Sequence, residues 1–229
     1  MWIDDQILKN YDRALYSEIF VPRSTVVVLG SGNDEDLEVN SEACVAGEIP
    51  VLRRYGGGGT VVLYSGCVVV SVGCWVKDVY QNTHYFDVLN QSLIAALASS
   101  EAVFSRLSQA GISDVVCDGK KVAGTSMFRS RNYLLYQASL LVDLDGALVG
   151  RLLKHPTKEP DYRKGRSHAD FLTSLNAVSG GGVTAEGIAR GLTQEFELAA
   201  KKLLGDHLVA PVDAQFSALK ARLDRAGSN

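Results

Sequence analysis

Four consecutive glycines, Gly56 to Gly59, constrain this 229-residue chain more than any other feature. Glycine loses the most backbone freedom on folding, so holding such a run in one conformation is costly. The run lies between Pro50-Val51-Leu52 and Thr60 to Leu63, both of which read as strands. Held there, bare backbone lets a ligand approach closely and turns N–H groups toward an anion. Arg53 and Arg54 stand directly before it and add positive charge. The alternative is a loose connection between strands, and the adjacent arginines weigh against it. The run lacks the Gly-Lys-Ser/Thr ending of a P-loop. Leu29-Gly30-Ser31-Gly32 starts like a dinucleotide fingerprint, but Glu35 occupies the place of its third glycine.

The pattern along the chain is α+β, a mixed sheet with helices packed on it and a helical stretch near the C-terminus. Loosely helical spacing predicts a helix over Ile7 to Phe20, broken by Val21-Pro22. Thr25 to Leu29 is β-branched and predicts a strand; Ser41 to Ala46 fits a helical turn. Thr60 to Leu63 and Val68 to Val72 read as a strand pair joined through Ser65-Gly66. Phe86, Leu89, Leu93 and Leu97 recur at helical spacing, which predicts an amphipathic helix to about Ser99. Asp118-Gly119 is a strong hairpin signal because both turn positions need positive φ, so Ile112 to Val116 and Lys120 to Thr125 form its arms. Tyr133 to Val142 reads as a long apolar strand and Leu148 to Leu153 as a helix ended before Pro156. His155 to His168 is polar and reads as an exposed loop. After Gly180-Gly181-Gly182, Ile188, Leu192, Phe196 and Leu203 mark one helix face. Pro211 opens a last helix carrying Phe216, Leu219 and Leu223, and Arg225 to Asn229 should fray. The expectation is one domain over residues 1–229, with its helical segment at about 183–225.

Composition narrows the function. The net charge is −3 and no basic stripe is visible, which argues against a nucleic-acid partner. No apolar run approaches the length of a membrane span, and no signal-peptide pattern follows Met1, so the cytoplasm is the expected location. Cys44, Cys67, Cys74 and Cys117 form no Cys-x-x-Cys pair and no zinc spacing, and read as free buried thiols.

Two further segments bear on chemistry. In Asp118-Gly119-Lys120-Lys121-Val122-Ala123-Gly124-Thr125-Ser126, two lysines follow the tight turn. Either they decorate a solvated hairpin tip, or strand alternation turns one of them inward as a point charge for a phosphate or carboxylate. Gly124, Thr125 and Ser126 would leave room for a ligand beside it. Tyr162-Arg163-Lys164-Gly165-Arg166-Ser167-His168 is basic and is either a solvated loop or a lid over an anion.

Taken together, these segments resemble the lipoate–protein ligase A family. The family pattern of two arginines, a glycine run, a small residue and valine is met by Arg53, Arg54, Gly57, Gly58, Gly59, Thr60 and Val61. Asp114, Lys121, Val122, Ala123, Gly124, Thr125 and Ser126 follow its second motif in order. Leu140 to Asp143 and Lys164 to Ser167 match two later ones, so the similarity runs from about Thr25 to Leu175.

The resemblance implies an α+β catalytic domain of the type shared with biotin–protein ligases. It implies an enzyme that uses ATP and Mg²⁺ to activate lipoate or octanoate as acyl-AMP. The acyl group would then pass to a lysine of a lipoyl-domain protein. By the same match Lys121 holds the carboxylate and α-phosphate, and Lys120 is exposed. Arg53, Arg54, Gly56, Gly57, Gly58, Gly59, Thr60, Asp114, Gly124, Thr125 and Ser126 would line the acyl and nucleotide site. No metal ligand is assigned to the chain. The family's fused accessory domain is not expected within these residues, so the domain works alone or a separate protein supplies that part.

Several positions depart from the family pattern. Gly56 stands for a common serine, Leu63-Tyr64 for His-Asp, Ser113 for asparagine and Tyr136-Gln137-Ala138 for His-His-Gly. Ala169-Asp170-Phe171 stands where arginines are usual. These bear on substrate more than on fold. Related octanoyltransferases use a cysteine as acyl relay, and Cys117 matches neither known relay position, which favours the ligase. A non-catalytic lipoyl-binding subunit is the third reading.

Overall fold

The structure is a computed structural model that describes residues 4–8, 10–211, 217 and 221. The elements in chain order begin with α1 (Asp5–Leu8), β1 (Leu15–Phe20), β2 (Val26–Leu29), α2 (Glu35–Glu38) and α3 (Ser41–Ala46). Then come β3 (Val51–Arg53), β4 (Val61–Leu63), β5 (Cys67–Trp75) and α4 (Asn82–Ser100). β6 (Ser108–Ala110), β7 (Asp114–Cys117), β8 (Lys120–Ser130) and β9 (Tyr133–Leu141) complete the strands. α5 (Gly146–Leu152), α6 (His168–Phe171), α7 (Leu175–Ser179) and α8 (Ala185–Leu204) follow. Phe216, Leu219 and Leu223 of the last helix read from Pro211, and the fraying end from Arg225, fall outside the described residues.

The architecture is α+β, with two sheets. Six strands form an antiparallel sheet in the order β1-β5-β9-β8-β7-β6. Three strands form a small mixed sheet, β3-β2-β4, in which β2 runs parallel to β3 and antiparallel to β4. One face of the large sheet is covered by α4 and α8. Val68, Val70, Val72 and Cys74 of β5 alternate onto that face, as do Leu134, Tyr136, Ala138 and Leu140 of β9. α4 meets them with Tyr85, Leu89, Leu93, Ala96 and Leu97, and α8 with Ile188, Leu192, Phe196 and Leu204. Each large side chain buried here stabilises the fold by roughly 1.5–3 kcal/mol. Among the described residues, no helix is long and apolar enough to cross a membrane.

Four expectations need correction. The segment from Ile7 to Phe20 is not one helix; α1 ends at Leu8 and Leu15–Phe20 becomes β1. Leu15 and Ile19 face the helices while Tyr16, Glu18 and Phe20 face the opposite way, because pairing along β5 imposes a period of two. Thr60 to Leu63 and Val68 to Val72 do not pair with each other. The chain changes sheets at Tyr64-Ser65-Gly66, where the Gly66 carbonyl accepts from the N–H groups of Val142 and Asp143, each at 2.9 Å. A Cβ at Gly66 would lie 2.6 Å from the Tyr64 ring and 2.9 Å from the Asp143 carbonyl oxygen, so this crossing needs glycine. On α8 the buried residue is Leu204, at 1% exposure, and Leu203 is 45% exposed. Finally, the loop over residues 155–168 is not wholly exposed, since Arg163 is 5% exposed within it.

Candidate functional site

The face of the large sheet turned away from α4 and α8 is built in rows, because residues paired across neighbouring strands point the same way. One row is aromatic and apolar, Tyr16–Gly73–Leu135–Phe128 across β1, β5, β9 and β8. The Tyr133 hydroxyl fills the space of Gly73's missing side chain. The next row is Glu18–Ser71–Gln137–Ser126, and the third is Phe20–Val69–Ser139–Gly124. These two rows floor a cavity of about 190 Å³ roofed by Val28, Val61 and Leu63 of the small sheet. Arg54, Gly58, Gly59 and Thr60 close it on one side, and Asp114 and Lys121 on another.

The glycine loop is organised from within by Arg54. Its guanidinium donates to the Gly57 carbonyl at 2.7 and 3.2 Å, to Gly59 at 2.7 Å and to Val28 at 3.4 Å. Burial lowers its pKa to about 10, so it remains charged at neutral pH. Gly58 adopts φ +90°, and Gly30 must be glycine because a Cβ there would lie 2.2 Å from the Gly58 carbonyl oxygen. With the carbonyls of Gly57 and Gly59 turned onto Arg54, the N–H groups of Gly57, Gly58 and Gly59 have no acceptor among the described residues. Such a set of backbone N–H groups suits an anion.

Lys121 reaches the cavity through a β-bulge. Val115 pairs with Ala123 but Val116 pairs with Lys121, which places an extra residue in β8. Strict alternation would set Lys121 and Gly124 on opposite faces; the bulge brings them onto one. The amine rests where a Gly124 side chain would be, 2.9 Å from the position of its Cβ. It pairs with Asp114 Oδ1 at 2.7 Å, and Asp114 Oδ2 accepts from the Tyr162 hydroxyl at 2.7 Å. Burial, followed by the nearby Asp114 charge, pushes the Tyr162 hydroxyl pKa up. Asp114 thus links the loop over 155–168 to Lys121. Arg163 and Arg166 stack over Phe171 at 4.7 and 5.2 Å beneath it. Lys120 is exposed.

The residues singled out from the sequence divide into two sets. Arg54, Gly58, Gly59, Thr60, Asp114, Lys121, Gly124, Thr125 and Ser126 line the cavity together. Arg53, Gly56 and Gly57 do not. Arg53 donates to the carbonyls of Gly30 and Asn33 at 2.9 and 2.8 Å, because it follows Leu52 at the end of β3 and points out of the cleft. Gly56 backs onto Ser126, whose Oγ would be 3.1 Å from an added Cβ. Thr125 lends only part of itself to the cavity, since its hydroxyl donates to the Ser113 carbonyl.

Two carboxylates escaped the sequence reading. Glu38, 5% exposed, accepts from the Thr60 hydroxyl, from Asn33 at 2.7 Å and from Thr157 at 3.1 Å. It therefore ties the loop after β2, the glycine loop and the loop after α5 to one point. Asp4 is fully buried and accepts from the Tyr55 N–H at 2.6 Å and the Gln137 amide at 2.8 Å. No local motif marks either residue, because their partners are distant in sequence.

A sequence profile described as the Lipoyl protein ligase A/B catalytic domain matches residues 1–197. The chain belongs to that family. Within it, a lipoate–protein ligase of Streptococcus pyogenes is 31% identical over 167 residues, 73% of this chain and 45% of that protein. An octanoyltransferase LipM of Kyrpidia tusciae is 27% identical over 183 residues, 69% of this chain and 66% of that protein. The chain therefore spans between about half and two thirds of these relatives' length. The fold is also that of a bipartite lipoate protein ligase from Thermoplasma acidophilum, solved in work on that enzyme and its E2 lipoyl domain. The TM-score is 0.67 at 18% identity, covering 98% of this chain and 90% of the archaeal one. The relatives in this family thus include proteins of two chemistries, lipoate–protein ligases and octanoyltransferases.

Those chemistries make different demands on cysteine, since a relay needs an accessible thiolate. All four cysteines here are buried free thiols, and none lines the cavity. Burial raises the pKa of each, to about 11 for Cys67 and about 12 for Cys74.

Proposed function

We propose that this chain is an ATP-dependent ligase that activates lipoate or octanoate as acyl-AMP and transfers it to a lysine of a lipoyl-domain protein. One observation supports this most: Lys121 borders the same cavity as Gly58 and Gly59, whose N–H groups have no acceptor among the described residues. In the first step a carboxylate oxygen attacks the α-phosphorus of ATP and pyrophosphate leaves. In the second, the acceptor's ε-amine attacks the acyl carbon and AMP leaves, a proton passing to solvent. Lys121 and the N–H groups of Gly58 and Gly59 would hold the charge that builds on the phosphoryl oxygens. Arg54 acts by holding the loop, and Arg53 by holding the neighbouring turn. Asp114 keeps the Lys121 amine in place.

Among the described residues there is no cluster of three His, Cys, Asp or Glu that would cage a metal. Mg²⁺ keeps most of its water and binds chiefly through nucleotide phosphates. When bound it would neutralise those phosphates. The apolar roof would take the acyl chain, each buried methylene adding about 0.8 kcal/mol.

Transfer through an acyl-thioester is the second reading, favoured by the octanoyltransferase relative. The burial and raised pKa of all four thiols weigh against it. The test is incubation with ATP, Mg²⁺ and either acid, with acyl-AMP detected by mass spectrometry. Lys121→Ala should lower pyrophosphate release by roughly 100-fold or more while leaving the circular dichroism melt in place. Unchanged release would remove Lys121 from the reaction. A thioester on Cys117 formed from an acyl donor without ATP would replace ligation by transfer.

A further inference from the structure

We propose that Tyr162 is a positioning residue for Lys121. Through Asp114 it fixes the amine beside the cavity, and it thereby couples the loop over 155–168 to the end of the site where charge builds in the reaction. The chemical role of the amine rests on the ligase reading above; its placement by Tyr162 does not.

The carrying observation is a chain of three groups with Asp114 in the middle. Asp114 is buried at the start of β7. Its Oδ1 takes the Lys121 amine at 2.7 Å, and its Oδ2 takes the Tyr162 hydroxyl at 2.7 Å. With both oxygens engaged, the carboxylate is held from two sides. A lysine ammonium has three protons. One is committed to Asp114, so two remain for a ligand, and their directions follow from where Asp114 stands. The amine occupies the space left by the missing side chain of Gly124, which borders the cavity.

Tyr162 is itself fixed by its neighbours. Its backbone belongs to the short 3₁₀ turn Asp161–Arg163. Its ring lies 5.2 Å from the Phe171 ring. The turn between β6 and β7 stands against its edge, since a Cβ at Gly111 would lie 3.7 Å from the ring. Burial, followed by the Asp114 charge, pushes the phenol pKa up, so the hydroxyl keeps the proton that it donates.

The same stretch of chain holds Lys121 from behind. Leu172 forms a parallel bridge with Lys121, and the Thr173 N–H donates to the Lys121 carbonyl at 2.8 Å. Phe171, on which Tyr162 packs, directly precedes Leu172. The segment from 162 to 173 therefore grips Lys121 at its backbone and, through Asp114, at its amine. The contact between the two rings joins these grips. A movement of the loop that withdrew the hydroxyl would leave the backbone grip intact. It would free the carboxylate to turn toward water and loosen the amine, and small misplacements of a reacting group are costly in rate. Lys120, the next residue toward the turn, is exposed.

The test compares wild type, Tyr162→Phe, Asp114→Asn and the double variant by two readouts. The first is the rate at which acetic anhydride labels Lys121, read by peptide mass spectrometry with Lys120 as internal control. An amine held on a carboxylate is a poor nucleophile, so Tyr162→Phe should label Lys121 roughly 5-fold faster and leave Lys120 unchanged. The second readout is acyl-AMP formation from ATP and octanoate. Tyr162→Phe should lower kcat roughly 10-fold with KM for ATP within about 2-fold, because the amine is missed chiefly in the transition state. In the Asp114→Asn background the same change should cost less than about 2-fold, since the link is already cut. Unchanged Lys121 labelling, unchanged kcat, or equal costs in both backgrounds would overturn the proposal. A raised KM for ATP at constant kcat would also overturn it, since the loop would then be holding nucleotide. If wild type forms no acyl-AMP, the ligase reading fails and labelling alone decides. Faster labelling of Lys121 in Tyr162→Phe then upholds the placement, and equal or slower labelling rejects it.

Discussion

Arg54→Lys keeps the charge and removes the fork, which isolates what the guanidinium does for the glycine loop. In the native protein two carbonyls, those of Gly57 and Gly59, each lie 2.7 Å from Arg54 Nη2, with longer contacts to Gly57 and Val28 behind them. A lysine places its donors on one nitrogen at the end of a different stem and can meet one of the two carbonyls well. The loss is one charge-assisted hydrogen bond, about 1.5–3 kcal/mol, plus a carbonyl left without a donor, about 1–3 kcal/mol. These sum to a destabilisation of roughly 3–4 kcal/mol near the lower middle of that range. With a urea slope of about 2 kcal/mol/M, the midpoint should fall by about 1.5–2 M at constant slope. The same variant should raise KM for ATP in acyl-AMP formation, because carbonyls released from Arg54 let the loop rotate its N–H groups away. A midpoint shift under about 0.5 M with unchanged KM for ATP would refute the idea that Arg54 organises the loop.

Gly30→Ala pushes a methyl against the Gly58 carbonyl oxygen at 2.2 Å, and overpacking of this kind costs about 1–3 kcal/mol, measurable as a lower urea midpoint together with weaker nucleotide binding. Tyr162→Phe removes the donor to Asp114; with the phenol half exposed the loss should be about 1 kcal/mol, and trypsin should cut faster after Lys164 and Arg166. His168 donates Nε2–H to the Lys154 carbonyl at 3.1 Å, and burial holds its pKa below the ordinary imidazole value. The unfolded chain therefore binds the proton first, so its contribution is intact above about pH 6.5 and is lost as pH falls through that value toward the lower native one. His168→Gln should flatten that part of the stability profile; an unchanged slope would exclude His168 as its source.

Much of the chemistry-bearing material was legible from local pattern. The glycine run beside Arg53 and Arg54 was readable because backbone freedom is a property of residue type. The Asp118-Gly119 turn was readable because both residues need positive φ, and both have it, at 50° and 73°. The amphipathic spacing of α4 was equally local. What the tertiary structure alone decided was direction and company. Ile7 to Phe20 follows helical spacing loosely, but edge pairing with β5 turned Leu15–Phe20 into a strand and set Glu18 on the cavity floor. Arg53 and Arg54 are neighbours of the same type, yet one faces the turn at Gly30 and the other the loop interior. The bulge at Val115 and Val116 set Lys121 on the face of Gly124, which alternation counted from the turn does not give. Glu38, Asp4 and the Glu18–Ser71–Gln137–Ser126 row have no sequence signature, since each is assembled from residues far apart in the chain. Local sequence determines what a segment can adopt; which groups converge on one cavity is set by strand register and by the sheet that each segment joins.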